Sequence, residues 1–273
     1  MTGNNPPAPP VSIRDRLRSF TPFRRKSQPD KLHPAPVPAE KRVVYAVGDI
    51  HGRYDLLIEL EDRISRDLAE RGSPPSLLVF LGDYVDRGPE SREVLTHLAA
   101  GASPCDQHVF LRGNHEQVMI DFLGSADMLD AWAKFGGIET LVSYGLRPRL
   151  PLSPEGREHL RRELLRVLPP SHKSFLIATR YSHETDDFFF AHAGVNPAFD
   201  LEHQHPEELM WIREPFLSSR KNFGKRIVHG HTPVTLPDIR VNRINVDTKA
   251  FATGRLSTAV IAGDTCTFLS TVD

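Results

Sequence analysis

Three short blocks in the first half of the chain contain residue types that can bind metal ions. They are Gly48–Gly52 (GDIHG), Gly82–Gly88 (GDYVDRG) and Arg112–Glu116 (RGNHE). Each block places carboxylates, an amide or an imidazole beside glycine and after a run of apolar residues. Two later blocks, Ala191–Gly194 (AHAG) and His229–Pro233 (HGHTP), add further imidazoles.

This mixture of hard oxygen ligands and imidazoles favours Mn²⁺, Fe or Zn²⁺ over a structural zinc held by thiolates. Paired ions of this kind clamp a phosphoryl group and activate a water between them. A single Gly-Asp pair is more often a turn than a ligand, because both residues favour turns. Five blocks in order along the chain support one another, and together they predict a two-metal site for phosphoryl chemistry.

Predicted strands that alternate with predicted helices position the first three blocks. The strands are Val43–Val47, Leu77–Leu81 and His108–Leu111, and the helices are Tyr54–Arg71, Glu90–Ala100 and Glu116–Phe122. This alternation predicts parallel strands joined by crossover helices. Ligands bind beyond the carboxyl ends of such strands, which is where the three blocks fall.

The second half of the chain is predicted to begin with helices and to continue with short strands. The segments Trp132–Tyr144 and Ser153–Leu168 are predicted to be mainly helical, the latter with Ser153 as N-cap and Pro154 at its first position. The strands are Phe175–Ala178, Phe188–Ala191, Ile227–Val228, Ile244–Val246, Thr258–Ala262 and Thr267–Ser270. We expect them to form a second sheet packed on the first. The predicted fold is therefore α/β, a four-layer α/β/β/α sandwich of two mixed sheets flanked by helices.

Residues 1–40 differ in composition from residues 41–273, which we expect to form one catalytic domain. The tail is rich in proline, and its basic residues outnumber its acidic ones. Such a composition buries too little apolar surface to offset chain ordering, so we predict a disordered tail. Val11–Phe20 has a second interpretation, a short basic amphipathic segment that touches a membrane surface or a partner.

The overall composition excludes several classes of protein. A net charge of −1 gives no general attraction to nucleic acid. The two cysteines, Cys105 and Cys266, lie far apart and indicate a reducing compartment. No apolar run approaches the roughly 20 residues of a membrane span, and the N-terminus lacks the pattern of a signal peptide. We expect a cytoplasmic protein without stable membrane insertion, and the oligomeric state stays open.

The blocks resemble the phosphoprotein phosphatase family of calcineurin-like metallophosphoesterases. GDxHG, GDxxDRG and GNHE are all present, and the likeness is to the bacterial and phage lambda-type serine/threonine phosphatases. Further similar segments are Leu111–Asp121, Trp211–Glu214, His231–Pro233 and Val246–Thr248. The resemblance extends from Arg42 to the C-terminus and leaves out the tail.

The resemblance implies two divalent ions, Mn²⁺ before Fe or Zn²⁺, and a ligand set for them. Asp49 and His51 would bind the first ion, and Asp83 would bridge both. The second ion would be held by Asn114, His192 and His231. His229 is an alternative to His231, but the family pattern places the ligand directly before Thr-Pro.

The resemblance also implies roles for residues that act on the substrate. His115 would be the general acid, with Asp86 bonded to its ring, fixing the tautomer and keeping the ring cationic. Arg87 and Arg213 would grip the phosphate oxygens through bidentate forks. Arg112 is expected to pair with Glu116 and stays outside the site.

The implied reaction is hydrolysis of phosphoserine and phosphothreonine in proteins, by direct attack of a hydroxide that bridges the two ions. A phosphorylated protein is therefore the expected partner. The first alternative is a symmetrical dinucleoside-polyphosphate hydrolase, whose members usually have alanine at the position of Asp86 and aspartate at that of Glu116. The second alternative is an inactive module that binds phosphoproteins, which the complete ligand set disfavours.

Overall fold

Two five-stranded β-sheets form the frame of the domain. The computed structural model describes residues 42–101 and 103–272. The tail predicted for residues 1–40 therefore lies outside the described residues. Within the described ranges, no helix is long and apolar enough to cross a membrane.

The first sheet contains the three strands predicted before the ligand blocks. Its strands are β1 (Val43–Val47), β2 (Ser76–Phe80), β3 (Gln107–Phe110), β9 (Ser257–Ala262) and β10 (Thr265–Ser270). They lie in the order β10-β9-β1-β2-β3. The strands β1, β2 and β3 are parallel, as predicted, whereas β9 runs antiparallel to both β1 and β10.

The second sheet is built from the shorter strands of the second half. They are β4 (Ser182–Glu184), β5 (Phe188–Ala191), β6 (Arg226–His229), β7 (Asp238–Ile239) and β8 (Arg243–Asn245). Their order is β4-β5-β6-β8-β7, with β5, β6 and β8 parallel and the two edge strands antiparallel. Both sheets are therefore mixed.

Nine α-helices connect and cover the strands in the described ranges. They are α1 (Tyr54–Glu70), α2 (Ser91–Ala100), α3 (Asn114–Gly124), α4 (Leu129–Lys134), α5 (Gly137–Ser143), α6 (Pro154–Val167), α7 (Pro170–Ala178), α8 (Pro206–Trp211) and α9 (Ala250–Thr253). Short 3₁₀ turns cover Ala126–Met128 and Leu201–His203. The start of α6 is as predicted, because the Ser153 hydroxyl accepts a hydrogen bond from the Gly156 N–H at 3.2 Å.

Alternation of side chains along the strands creates three apolar layers. In β1, Val44 and Ala46 pack against Val228 and Ile244 of the other sheet and form the layer between the sheets. Tyr45, by contrast, belongs to the layer under the helices of the first sheet. A third cluster covers the outer face of the second sheet. The predicted four-layer α/β fold with two mixed sheets is confirmed.

Two sequence-based predictions about the second half are wrong. Phe175–Ala178 is the end of α7 and not a strand, because a four-residue apolar run has no periodicity that separates the two structures. The strands β9 and β10 join the first sheet through β1 and not the second. Their sequences contain strand signals but nothing that specifies a pairing partner.

Arg112 ties the end of the first sheet to α7 and the chain that follows it. Its guanidinium donates to the Thr179 hydroxyl at 2.9 Å, the Gln117 amide oxygen at 3.0 Å and the carbonyls of Leu176 and Ile177 at 3.1 Å each. The expected pair with Glu116 does not form, because this arginine points toward α7. Arg112 therefore has a structural role.

We expect Arg112→Ala to lower the free energy of unfolding by about 3 kcal/mol, because it leaves several buried acceptors without a donor. Urea denaturation measures the change, and Arg149→Ala, at an exposed arginine on the same domain, serves as the control. Equal stability of the two variants would contradict the structural role.

Candidate metal centre and active site

All the residues predicted to bind metal follow the carboxyl ends of parallel strands. Asp49 follows β1, Asp83 follows β2 and Asn114 follows β3. His192 and His231 follow β5 and β6 of the second sheet. The edge where both sheets end their parallel strands therefore collects these residues, as the general rule for parallel sheets predicts.

Several of these residues have backbone conformations that L-amino acids rarely adopt. Of the seven non-glycine residues with positive φ in the described ranges, five are predicted site residues. They are His51 (47°), Asp83 (54°), Asp86 (73°), Arg87 (68°) and His231 (63°). Such conformations cost on the order of 1–3 kcal/mol each and persist only where the surroundings fix them.

The Glu116 carboxylate is one group that fixes this backbone. It accepts N–H groups of Asp83 and Tyr84 at 2.8 Å each, of Gly113 at 2.9 Å and of Val85 at 3.3 Å. Burial raises the pKa of Glu116 to about 7, and the four backbone donors oppose this shift. Glu116 thus binds the loop after β2 to the start of α3, a role that sequence reasoning did not assign.

Two glycines are needed because carboxylates occupy the space of a side chain. A Cβ at Gly230 would lie 2.2 Å from Oδ1 of Asp49, and a Cβ at Gly113 would lie 2.1 Å from Oδ1 of Asp83. Both distances are far below a van der Waals contact. The glycines of the sequence blocks therefore allow two loops to approach the candidate ligands.

Asp83 lies at the centre of two clusters of ligand atoms. One cluster contains His51, Asp83 and His115, and the other contains Asp83, His192 and His231. Oδ2 of Asp83 lies 3.5 Å from Nε2 of His51, and Oδ1 lies 3.4 Å from Nε2 of His192. This geometry is compatible with a carboxylate that bridges two ions.

The hydrogen bonds of the histidines expose lone pairs toward these clusters. Nδ1 of His51 donates to the Val85 carbonyl at 2.9 Å, and Nδ1 of His192 donates to the Leu81 carbonyl at 3.0 Å. A carbonyl accepts only, so each Nε2 carries a lone pair. Nε2 of His192 faces Oδ1 of Asn114 at 3.0 Å and Nδ1 of His231 at 3.2 Å.

Lone pairs held this close repel one another unless a cation lies between them, so the residues fit a pair of divalent ions. Burial lowers the pKa of His192 to about 3 and that of His231 further, which keeps both rings neutral and able to coordinate. Burial raises the pKa of Asp49 and of Asp83 well above the usual range. Bound cations would offset that unfavourable burial of charge.

Asp49 meets the second sheet through the N–H of His231, which donates to its Oδ2 at 3.1 Å. The nearby Asp247 is a buried carboxyl that also raises the pKa of Asp49. Sequence reasoning gave Asp247 no role, although it follows a strand end as Asp49 does. Its position after a strand end is the sequence signal that could have identified Asp247 as a residue near the site.

His115 is held by Asp86, as predicted. Its Nδ1 donates to Oδ2 of Asp86 at 2.8 Å, which fixes the tautomer. Asp86 is fully buried and also accepts the Trp132 indole N–H at 3.0 Å and the Thr140 hydroxyl at 2.6 Å. Trp132 and Thr140 lie 46 and 54 residues beyond Asp86, and no sequence signal connects them with it.

The expectation that Asp86 keeps His115 cationic is not met in this structure. Burial, followed by the charge of Arg87, lowers the pKa of His115 well below its usual value. Nη2 of Arg87 lies 3.2 Å from Nε2 of His115, and a guanidinium only donates, so that nitrogen accepts. With Nδ1 on Asp86 and Nε2 on Arg87, His115 has no lone pair free for an ion.

A cleft of about 180 Å³ opens onto these groups, and it brings both predicted phosphate-binding arginines together. Nη2 of Arg213 lies 3.5 Å from the His231 carbonyl. Phe135 and Trp211 form an aromatic wall, with ring centroids 5.5 Å apart, and Phe135 also contacts the His115 ring. The cleft thus combines candidate metal-ligand atoms, the guanidinium groups of Arg87 and Arg213, and the candidate acid His115.

His229 does not compete with His231 as a ligand. Its ring packs edge-on against Phe216, at 5.1 Å between centroids, and its Nδ1 lies 3.0 Å from the Gly230 carbonyl. Nε2 of His229 has no hydrogen-bond partner among the described residues, and the ring belongs to neither cluster. The sequence predicts His231 as the ligand. In the structure, the His231 ring lies in the second cluster of ligand atoms, with Asp83 and His192.

Comparison with known proteins agrees with this geometry. The family model for calcineurin-like phosphoesterases matches residues 42–267. The chain belongs to the calcineurin-like phosphoesterase family. This phosphoesterase therefore has the fold that the sequence resemblance implied, and its two clusters of ligand atoms suit the dinuclear metal centre of the family.

Curated relatives of this phosphoesterase differ in the substrates that their names give. An asymmetrical bis(5'-nucleosyl)-tetraphosphatase, PrpE, of Bacillus velezensis is 27% identical over 224 residues, or 74% of this chain and 82% of the relative. Serine/threonine-protein phosphatase 1 of Salmonella typhimurium is 28% identical over 225 residues, or 81% of this chain and 92% of the relative. Their identities to this chain are nearly equal, so these two relatives do not distinguish a nucleotide substrate from a protein substrate.

A solved structure shows the same fold. It is a crystal structure of a protein provisionally assigned as a diadenosine tetraphosphatase, with a TM-score of 0.58 at 21% identity, over 85% of this chain and 95% of that one. At this identity the likeness concerns the fold alone.

We expect Glu116→Gln to weaken Mn²⁺ binding by about 10–100-fold, because an amide NH₂ would face backbone N–H groups that now meet a carboxylate. Isothermal titration of the metal-free protein with Mn²⁺ measures the change. Glu70→Gln, at an exposed position at the end of α1, is the matched control. Unchanged Mn²⁺ affinity in Glu116→Gln would show that the loop holds its shape without this carboxylate.

Proposed function

We propose that this phosphoesterase is a serine/threonine protein phosphatase that works with two divalent ions, Mn²⁺ before Fe or Zn²⁺. Asp49, His51 and Asp83 would hold the first ion. Asp83, Asn114, His192 and His231 would hold the second. When bound, the ions would supply Lewis-acid stabilisation of phosphoryl oxygens and an activated water.

The observation that carries the proposal is the buried contact between His115 and Asp86. Asp86 fixes the ring so that Nε2 faces the cleft beside Arg87. A group in this position can give a proton to the oxygen that leaves phosphorus. Serine and threonine alkoxides need such a proton, because they are poor leaving groups, whereas a phosphate that leaves a polyphosphate chain needs it less.

The arginines would hold the substrate while His115 acts. The guanidinium groups of Arg87 and Arg213 would donate hydrogen bonds to the phosphate oxygens. The planar fork of a guanidinium suits two such oxygens. Movement of the Arg87 donors onto phosphate would release Nε2 of His115. The negative charge of the phosphate would then favour the protonated ring, which donates to the leaving oxygen.

Two observations support a nucleotide function, and the first is the similarity to the tetraphosphatase of Bacillus velezensis, which is named as asymmetrical and not as the symmetrical type. The aromatic pair Phe135 and Trp211 is also a surface on which a base could stack. The contact between Asp86 and His115 favours the protein phosphatase, since it provides an acid that a phosphate leaving group needs less.

A comparison of substrates tests the proposal directly. We expect phosphoserine and phosphothreonine peptides to be hydrolysed with a higher kcat/KM than diadenosine tetraphosphate in the same Mn²⁺ buffer. Phosphate release and separation of nucleotide products measure the two reactions. The reverse order of kcat/KM would favour the nucleotide function and reject the protein phosphatase.

The role of His115 is tested by the leaving group. His115→Asn should lower kcat on a phosphoserine peptide by about 10²–10⁴-fold, the usual effect of losing a general acid. The loss should be smaller on p-nitrophenyl phosphate, because p-nitrophenolate leaves without a proton.

His203→Asn, at an exposed histidine in a 3₁₀ turn, is the control. Equal losses on the two substrates would mean that His115 does not act as a proton donor.

A further inference from the structure

Lys249 lies in a backbone conformation that favours glycine. Its φ is 58°, a left-handed value that costs a residue with a side chain about 1–2 kcal/mol. Hydrogen bonds fix this conformation: its N–H donates to Oδ1 of Asp247 at 2.8 Å, and its carbonyl accepts the N–H groups of Ala252 at 2.9 Å and Thr253 at 3.0 Å. The constrained backbone therefore sets the direction in which the Cα–Cβ bond of Lys249 leaves the chain.

The Phe251 ring lies close to both Lys249 and Arg87, and Arg87 lines the cleft. Nζ of Lys249 lies 5.8 Å from the ring centroid, and Cζ of Arg87 lies 4.8 Å from it. The ring also packs edge-on against His51, with centroids 5.4 Å apart. Cation–π attraction thus associates the lysine ammonium with the same ring as the arginine that we assign to the phosphate.

The charge of Lys249 is not balanced by a neighbouring carboxylate. Lys249 is exposed, and no ion pair within 4.0 Å involves it among the described residues. Arg53 also reaches this edge, where its Nη1 donates to the Ala250 carbonyl at 3.2 Å, but Asp55 neutralises it at 2.6 Å. The Asp247 carboxyl is buried and accepts the Lys249 N–H, so it faces the backbone of this loop.

We propose that Lys249, held over Phe251, forms a second anion subsite that selects phosphoesters with a further negative charge near the scissile phosphate. In the proposed protein phosphatase, this charge is the carboxylate of an acidic residue that flanks the phosphoserine. The identification of the anion as a carboxylate of a protein substrate rests on the proposed function. A second phosphate, as in a polyphosphate, has the same chemistry, and the experiment separates the two sources.

The test compares two phosphoserine peptides that differ only in flanking aspartates or asparagines, using the full chain with Mn²⁺. We expect the wild type to favour the aspartate peptide by about 2–5-fold in kcat/KM, the range of an exposed ion pair, and less at high salt. Lys249→Gly, which removes the ammonium and suits the left-handed backbone, should bring the ratio close to one. Lys249→Arg should keep the preference.

Lys225→Ala is the matched control, because Lys225 pairs with Glu184 at 3.1 Å on the second sheet. A ratio that is equal in the wild type and Lys249→Gly, or an absence of aspartate preference at low salt, would overturn the subsite.

Cleavage of p-nitrophenyl phosphate and diadenosine tetraphosphate distinguishes failure of the subsite from failure of the proposed function. If only the nucleotide and p-nitrophenyl phosphate are hydrolysed, the protein phosphatase is rejected. The subsite then stands only if Lys249→Gly loses about 2–5-fold more kcat/KM on the nucleotide than on p-nitrophenyl phosphate. Equal losses on both would reject the subsite as well.

Discussion

Lone pairs that face one another across Asp83 are the constraint on which the site depends. The Nε2 atoms of His51 and His192 lie 3.5 and 3.4 Å from the two oxygens of Asp83, in a buried environment. Acceptors at this separation repel, and burial raises the pKa of the carboxyl. Bound cations would turn the repulsion into attraction, so ion binding should stabilise the folded loops as well as prepare the chemistry.

The rest of the domain holds these groups in place against their repulsion. Both sheets end their parallel strands at one edge, and the loops there contain left-handed residues and glycines at close approaches. The Glu116 carboxylate ties two of these loops together through four N–H groups. Arg112 connects the same edge to α7. The strain of the site is therefore distributed over the packing of the first sheet and its helices.

Under the proposed function, groups outside the ligand set would let one metal centre serve different substrates. By our proposal, His115 and Asp86 would determine whether a leaving oxygen receives a proton, and Asp86 is held by hydrogen bonds from Trp132 and Thr140. By our proposal, the Lys249 ammonium would attract a further negative charge beside the scissile phosphate. Relatives named for a nucleotide and for protein substrates can thus have nearly equal identity to this chain. The overall similarity reflects the shared fold, and by our proposal the leaving group would depend on a few residues around the metal centre.

The sequence by itself determined the parallel strands of the first sheet, the carboxyl ends at which ligands gather and the family. It could do so because glycine, aspartate and histidine directly after an apolar strand form a local pattern. Only the tertiary structure decided that β9 and β10 join the first sheet, that Phe175–Ala178 is helical, and that Trp132 supports Asp86. Strand partners and contacts between residues far apart depend on how whole elements pack, and a four-residue apolar run has no period of its own.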